Sequence, residues 1–282
     1  MEKIDVVYIL GTGSRCSNTE IRYSLRSLQK NFKGYRRVFI VGEFPAWLNT
    51  ARITHIPERD ISTNKLVNAI YKIRKACQDT RITSKFILMN DDFFFLKPVR
   101  DIKAFQKGTL FAMKNSHETK GGYYYRAICS TYEMLKNLDI KRPMDYELHY
   151  PIMFDKKEFL KITNMVDWQN TGYIFRSMYG NLAEIPGMYR ADSKAFDLDD
   201  LKEMKNRDFL STDNKVATAR DFLRFIDRKF KSKCLFERSF GNAYTTKKTV
   251  CLLGKTFNPG DIIRGDIPEK LIRENNLIKF PR

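Results

Sequence analysis

Apolar positions fall in short blocks that alternate with stretches of helical period. Val6–Leu10 is an uninterrupted apolar run, which predicts a buried strand, and it ends in Gly11-Thr12-Gly13-Ser14. Ile21, Leu25, Leu28 and Phe32 then share one helical face, with Ser17-x-x-Glu20 as a capping box before them and Gly34 as the stop. Val38–Val41 predicts a second buried strand, a turn around Pro45 carries Trp47, and Arg52–Ile56 alternates as a third strand. From Ser62 a second helix is expected, with Leu66, Ile70, Ile73 and Cys77 as its inner stripe. Phe86–Met89 is again a strand, and it runs straight into Asn90-Asp91-Asp92.

Strands alternating with amphipathic helices predict βαβ units, an α/β class and a mainly parallel central sheet flanked by helices. Ligands of such sheets bind beyond the carboxyl ends of the strands, so Gly11–Ser14 and Asn90–Asp92 are expected side by side on one edge. The middle of the chain, about 105–190, is aromatic-rich and less regular, with a Tyr123-Tyr124-Tyr125 run, and is expected to be built of long loops. One helix is expected over Val216–Phe230, with Val216, Ala219, Phe222, Leu223, Ile226 and Phe230 inward. Thr249–Leu253 predicts a strand, Phe257–Asp261 a turn and Pro268–Asn275 a short helix. The expected division is thus a main domain over 1–246, with a donor half to about 104 and an acceptor half to 246, and a small β-rich appendage over 247–282.

Charge changes the picture more than composition does. Lys and Arg number 51 against 33 Asp and Glu, a formal net charge of +18 over 282 residues. A surface this basic attracts polyanions: nucleic acid, nucleotide donors, acidic glycans or anionic membrane. The five cysteines, Cys16, Cys77, Cys129, Cys234 and Cys251, are dispersed, which argues against a disulfide framework or a zinc cage. Val6–Leu10 is too short to span a membrane and lacks a cleavage site, so no transmembrane segment and a cytoplasmic setting are expected.

The strongest chemical signal is Asp91-Asp92, two carboxylates delivered by an apolar strand and followed by Phe93-Phe94-Phe95-Leu96. Such carboxylates are costly to leave unpaired, and their oxygens suit Mg2+ or Mn2+ shared with substrate phosphates. Gly11-Thr12-Gly13-Ser14 lets backbone amides approach a nucleotide, although it is neither a dinucleotide fingerprint nor a Walker loop. A plain turn explains it equally well.

The chain resembles the Stealth family of capsule polysaccharide phosphotransferases and GlcNAc-1-phosphotransferase-like proteins. The resemblance runs from Ile4–Tyr8 through Glu20–Leu28, Val38–Val41 and Pro45–Leu48 to Met89–Phe95. Shorter echoes follow at His149-Tyr150-Pro151, Phe175-Arg176-Ser177 and Phe209–Asp213. It implies a glycosyltransferase-A-like fold, a nucleotide-sugar co-substrate and a divalent cation, Mn2+ or Mg2+. Hexose-1-phosphate would be transferred to an acceptor hydroxyl. It further implies that Asp91 and Asp92 sit at the metal, and that His149, Arg176, Asp213 and Asp92 form the catalytic set. Gly11, Thr12, Gly13, Ser14, Arg22 and Asn90 are the expected donor-binding set. In those roles His149 would deprotonate the acceptor, Arg176 would clamp phosphoryl oxygens, and Asp213 would orient the histidine or complete the metal shell. The stretch after Tyr8, Ile9–Ser14, departs from the family pattern where the donor's base and sugar would bind, and the eroded later blocks leave transfer at the anomeric carbon open as an ordinary glycosyltransferase reaction.

The segment 214–248 carries ten Lys or Arg against Asp221, Asp227 and Glu237, interleaved with Phe222, Phe225, Phe230, Phe236, Phe240 and Tyr244. Arg224, Arg228, Lys229, Lys231 and Lys233 are the expected polyanion-binding residues. The acceptor is then DNA bearing a hydroxylated base, or an acidic capsule-type glycan. Two other classes stay open: a nucleic-acid-binding protein on a degenerate transferase scaffold, and a metal hydrolase, which would need more spaced ligands than the sequence offers.

Overall fold

A computed structural model describes residues 3–12, 14, 18–118 and 121–238, with the backbone of 250–252 and 255–257. In chain order, β1 (Ile4–Leu10) leads to α1 (Thr19–Asn31), β2 (Tyr35–Gly42), β3 (Ile53–Ile56), α2 (Lys65–Gln78) and β4 (Lys85–Met89). After a tight turn come β5 (Phe93–Phe95), β6 (Phe105–Gln106), α3 (Leu110–His117) and α4 (Gly122–Asn137). Then follow β7 (Ile152–Asp155), α5 (Lys156–Met165), α6 (Trp168–Thr171) and α7 (Phe175–Leu182). The last elements are β8 (Met188–Tyr189), β9 (Lys194–Ala195), α8 (Leu198–Met204), β10 (Phe209–Thr212), α9 (Asn214–Ala217), α10 (Arg220–Lys229), β11 (Val250–Leu252) and β12 (Lys255–Phe257).

The central sheet has the order β3-β2-β1-β4-β7, parallel throughout except for β7 against β4. The expected α/β class and mainly parallel sheet are what the chain adopts. Alternate residues of β1 serve two cores. Val6, Tyr8 and Leu10 pack with Ile21, Leu25 and Leu28 of α1. Val7 faces the other way, with Val67, Ile70 and Ile73 of α2 and Phe159 and Met178 of α5 and α7. Burial on both faces is why β1, β2 and β4 read as continuous apolar runs.

A smaller sheet, β5-β10-β9, is antiparallel between β5 and β10 and parallel between β10 and β9. It lies against α1, and buried polar side chains make the join. Ser24 Oγ donates to Phe93 O at 2.6 Å, Ser27 Oγ accepts from Phe95 N at 3.0 Å, and Asn31 Nδ2 donates to Phe95 O at 2.6 Å. These three residues form a polar stripe on α1 that satisfies the free edge of β5 and so fixes the strand that follows Asp91-Asp92.

Three expectations are corrected. The span 105–190 is largely helical, not looped, and the tyrosine run lies in the first turns of α4. The helix expected over 216–230 is two, because Ala219 is extended between α9 and α10. The residue that caps α1 is Asn18, while Glu20 accepts from Ser14 Oγ at 3.2 Å; Ser17 of the expected capping box lies outside the described residues. The turn over 257–261 and the helix over 268–275 fall outside them too, apart from the backbone of Phe257, which ends β12. The backbone of 250–252 pairs antiparallel with 255–257. Among the described residues Cys77, Cys129 and Cys234 are free thiols, and burial pushes Cys77 and Cys234 up to about 12. No described helix is long and apolar enough to cross a membrane.

Candidate active site

The carboxyl ends of β1 and β4 open into a cleft of about 880 Å³. Gly11, Thr12 and Ser14 line it from β1, and Asn90, Asp91 and Asp92 from β4; Gly13 lies outside the described residues. The N-terminal half of α2 and Asp60 form one wall, and Lys194, Thr212, Asp213 and Asn214 the other. Parallel pairing of Tyr8 with Met89 is the reason the two loops meet. The adjacency expected from the sequence is therefore present.

Asp91 and Asp92 sit in different environments. Burial, and then the charges of Asp92 and Glu20, push the Asp91 carboxyl up to about 7. Asp92 Oδ2 accepts from Ser211 Oγ at 2.7 Å and lies 3.9 Å from Lys194 Nζ. A carboxyl that holds its proton near neutrality beside two other acids is a site that a cation stabilises. Among the described residues no three His, Cys, Asp or Glu side chains converge on a metal position. A divalent ion held by this pair would need its remaining ligands from phosphate oxygens and water.

His149 stands just before β7 and is fixed by Asp192. Asp192 Oδ1 accepts from His149 N at 2.9 Å and from Ser193 N at 2.7 Å, and Oδ2 accepts from Nδ1 at 2.8 Å. Ser193 Oγ donates to His149 O at 2.5 Å, and Tyr150 Oη to Ala191 O at 2.8 Å, so the two loops are sewn together. Burial raises the Asp192 pKa, but the hydrogen bond and charge of His149 outweigh it and hold the carboxyl at about 2. In the neutral ring, Nδ1–H given to a carboxylate leaves the lone pair at Nε2, 3.3 Å from Lys194 Nζ. That tautomer is the one a general base needs.

Of the two roles expected of Asp213, orienting the histidine falls instead to Asp192. Asp213 does line the cleft, and its Oδ1 accepts from Val216 N at 2.9 Å as the cap of α9. Arg176 also differs from expectation. It is 5% exposed, and burial lowers its pKa against the opposing charges of Glu147 and Asp92. Its guanidinium donates to Tyr150 O at 2.8 Å and to Asn90 Oδ1 at 3.2 Å and lies over the Phe93 ring. The fork expected to grip phosphoryl oxygens is engaged by the protein and positions Asn90. Arg22, expected at the donor, pairs with Glu237 at 3.5 Å and lies over Trp47 at 4.4 Å.

The basic residues here are outward: Arg224 and Arg228 of α10 and, beyond its end, Lys231 and Lys233 are exposed, and Lys229 is partly so. Of the interleaved aromatics, Phe225 is partly exposed, with Lys229 Nζ 5.9 Å over its ring. Phe222, Phe230 and Phe236 are buried in the core, so they cannot stack on bases; Phe240 and Tyr244 lie outside the described residues. Sequence reasoning missed Asp192 and Lys194. The signal was weak, since Asp192-Ser193-Lys194 reads as an ordinary polar turn far along the chain from His149.

Residues 15–113 match the model of Stealth protein CR2, conserved region 2. Over 96 residues the chain is 35% identical to the N-acetylglucosamine-1-phosphotransferase subunits alpha/beta of Mus musculus and 34% identical to those of Homo sapiens. Each match covers 29% of this chain and 7% of the relative, so the shared segment is a small part of those proteins. Among solved structures, the galactosyltransferase LgtC in complex with donor and acceptor sugar analogs superposes with a TM-score of 0.46 at 12% identity. That superposition covers 82% of this chain and 98% of that one. The glycosyltransferase GlyE of Streptococcus pneumoniae TIGR4 superposes with a TM-score of 0.36 at 12% identity, over 68% of this chain and 46% of that one. Likenesses this loose decide neither fold nor function. The sequence match takes in Glu20–Leu28, Val38–Val41 and Met89–Phe95, whereas His149, Arg176 and Asp213 lie beyond it. The segment similar to that conserved region, residues 15–113, holds α1, β2 to β5 and the Asp91-Asp92 pair.

Proposed function

We propose that this chain is a transferase of the glycosyltransferase-A type that takes a nucleotide-activated sugar and a divalent cation. It passes sugar-1-phosphate, or the sugar itself, to an acceptor hydroxyl. One observation carries the reading: Lys194, which lines the cleft with Asp91 and Asp92, lies 3.9 Å from Asp92 Oδ2 and 3.3 Å from Nε2 of His149, which Asp192 holds. The printed name of the relatives matched over 96 residues, N-acetylglucosamine-1-phosphotransferase subunits alpha/beta, supports the sugar-phosphate form.

In this mechanism Gly11, Thr12 and Ser14 receive the donor at the end of β1. Asp92 is kept in place by Ser211, and Asn90 by Arg176. His149 Nε2 removes the acceptor proton while Nδ1–H stays on Asp192, which stabilises the imidazolium as it forms. The acceptor oxygen then bonds to the phosphorus nearest the sugar, and the bond from that phosphorus to the nucleoside monophosphate breaks. A cation on Asp91 and Asp92 would neutralise the charge of the diphosphate and its leaving group.

Calorimetric titration of a nucleotide-sugar panel, with and without Mn2+, tests the binding half of this reading. At least one donor binds more tightly with metal, and Asp91→Asn abolishes that gain. A gain of the same size in Asp91→Asn removes the metal role of the pair.

The acceptor is a polyanion in this reading, DNA with hydroxylated bases or an acidic glycan. Support comes from the net charge of +18 and the outward row Arg224, Arg228, Lys231 and Lys233. Salt-dependent retention of duplex DNA by the full chain, lost on reversing Arg224 and Arg228 to Glu, favours DNA. No retention at low salt removes it.

A further inference from the structure

We infer that Lys194 is the cation that takes the donor's phosphoryl oxygens; the inference rests on the transferase reading above. Lys194 begins β9, whose backbone pairs with Ser211 of β10. Ser211 in turn holds Asp92 through its hydroxyl, so strand pairing brings Lys194 and Asp92 to one wall. The ammonium lies 3.9 Å from Asp92 Oδ2 and 3.3 Å from His149 Nε2, and it lines the cleft with a side chain 20% exposed.

The other cations around the cleft are placed differently. Arg176 is buried, and its fork is given to Tyr150 and Asn90. Lys72 is buried on the opposite wall, where its Nζ donates to Leu10 O at 3.0 Å and to Asp60 Oδ1 at 2.5 Å. Lys65 also lines the cleft, from the exposed start of α2. An ammonium has three N–H donors, and among the described residues only His149 takes one within hydrogen-bond distance. Lys194 thus keeps donors for an anion at the position where a metal-bound diphosphate meets the acceptor.

The geometry also couples the two halves of the reaction. In this structure the Nε2 lone pair that must accept the acceptor's proton receives Lys194. Movement of Nζ onto a phosphoryl oxygen frees that lone pair, so arrival of the donor readies the base. No bond is made or broken in this step, and the charge stays on the lysine.

The test uses the full chain and inorganic pyrophosphate, which needs no knowledge of the base or sugar. Its affinity is measured calorimetrically, with and without Mg2+, for the wild type, Lys194→Gln, Lys194→Met and Lys194→Arg, with thermal melting as the folding check. Both neutral variants are expected to bind pyrophosphate about ten- to a hundredfold more weakly in either condition, the scale of one charge-assisted hydrogen bond. Lys194→Arg is expected to stay within about threefold of wild type, since it keeps the charge. Asp91→Asn, by contrast, is expected to lose only the Mg2+-dependent part. Wild-type affinity in a folded neutral variant overturns the role of Lys194 and leaves the transferase reading standing. Failure of the wild type to bind pyrophosphate at all, in either condition, overturns both.

Discussion

Asp192 holds His149 at two points, the main-chain N–H on Oδ1 at 2.9 Å and the ring Nδ1–H on Oδ2 at 2.8 Å. One carboxylate therefore sets both the position of the residue and the tautomer of its ring. Asp192→Asn offers a neutral oxygen or an NH2 to Nδ1, and the second choice turns the lone pair away from the cleft. The expected result is a folded protein with donor affinity within about threefold of wild type and a turnover reduced roughly ten-thousandfold, the scale seen when a base loses its orienting carboxylate. A turnover within a few-fold of wild type would show that His149 is not the base.

Acid stability reads the same contact. The folded Asp192 carboxyl is held at about 2, below its ordinary value of 3.8. Its contribution is therefore fully present above about pH 4 and is lost as pH falls toward 2. On the order of 2 kcal/mol is expected from a shift of that size. Urea denaturation of wild type and Asp192→Asn should show a gap at pH 7 that narrows at pH 2.5. A gap of constant size would mean that the carboxylate charge contributes nothing.

Gly42 ends β2 beside the cleft with φ +115°, and a Cβ there would stand 2.0 Å from Leu10 O. Gly42→Ala must therefore displace the end of β1, from which Gly11 and Thr12 enter the cleft. A loss of about 2 kcal/mol or more is expected, together with weaker donor binding. Unchanged stability in chemical denaturation counts against the tight β1–β2 junction.

Glu237 takes Arg26 in a two-point pair, Nε and Nη2 each at 2.7 Å, and also accepts from Cys234 N at 3.0 Å. Both side chains are under 10% exposed. Glu237→Ala strands a buried guanidinium and should cost about 3–5 kcal/mol. Replacing both partners by apolar residues should recover part of that loss. A single-variant loss below about 1 kcal/mol would place the pair among ordinary surface contacts.

How far the sequence reveals this molecule varies along the chain. Strands β1, β2 and β4 are legible because both faces are buried, and α1 and α2 because each has one apolar stripe. Helix α7 is buried on nearly every side from Phe175 to Asn181, so it shows no contrast of faces to read. Helix α4 buries Ala127, Ile128, Thr131 and Leu135, a stripe diluted by small and polar residues. The break at Ala219 has neither glycine nor proline to announce it. In the site, Asp91-Asp92 is legible because a strand delivers it. Asp192 and Lys194 are not, because they meet His149 only through the pairing of β9 with β10 and the loops joined to it. Arg176 is legible as a site residue but not in its geometry, since its burial and its bond to Asn90 are tertiary facts.

The central claim is that this cleft cleaves a nucleotide-activated sugar. Its most direct test is to incubate the full chain with a nucleotide-sugar panel and Mn2+ or Mg2+, water serving as a slow acceptor, and to resolve the released nucleotides by chromatography. The account predicts metal-dependent release of nucleoside monophosphate from one donor, abolished by Asp91→Asn and by His149→Ala. Release of nucleoside diphosphate under the same controls would move the bond cleaved to the anomeric carbon and keep the site. No metal-dependent release from any donor, or release that survives both substitutions, would contradict the account.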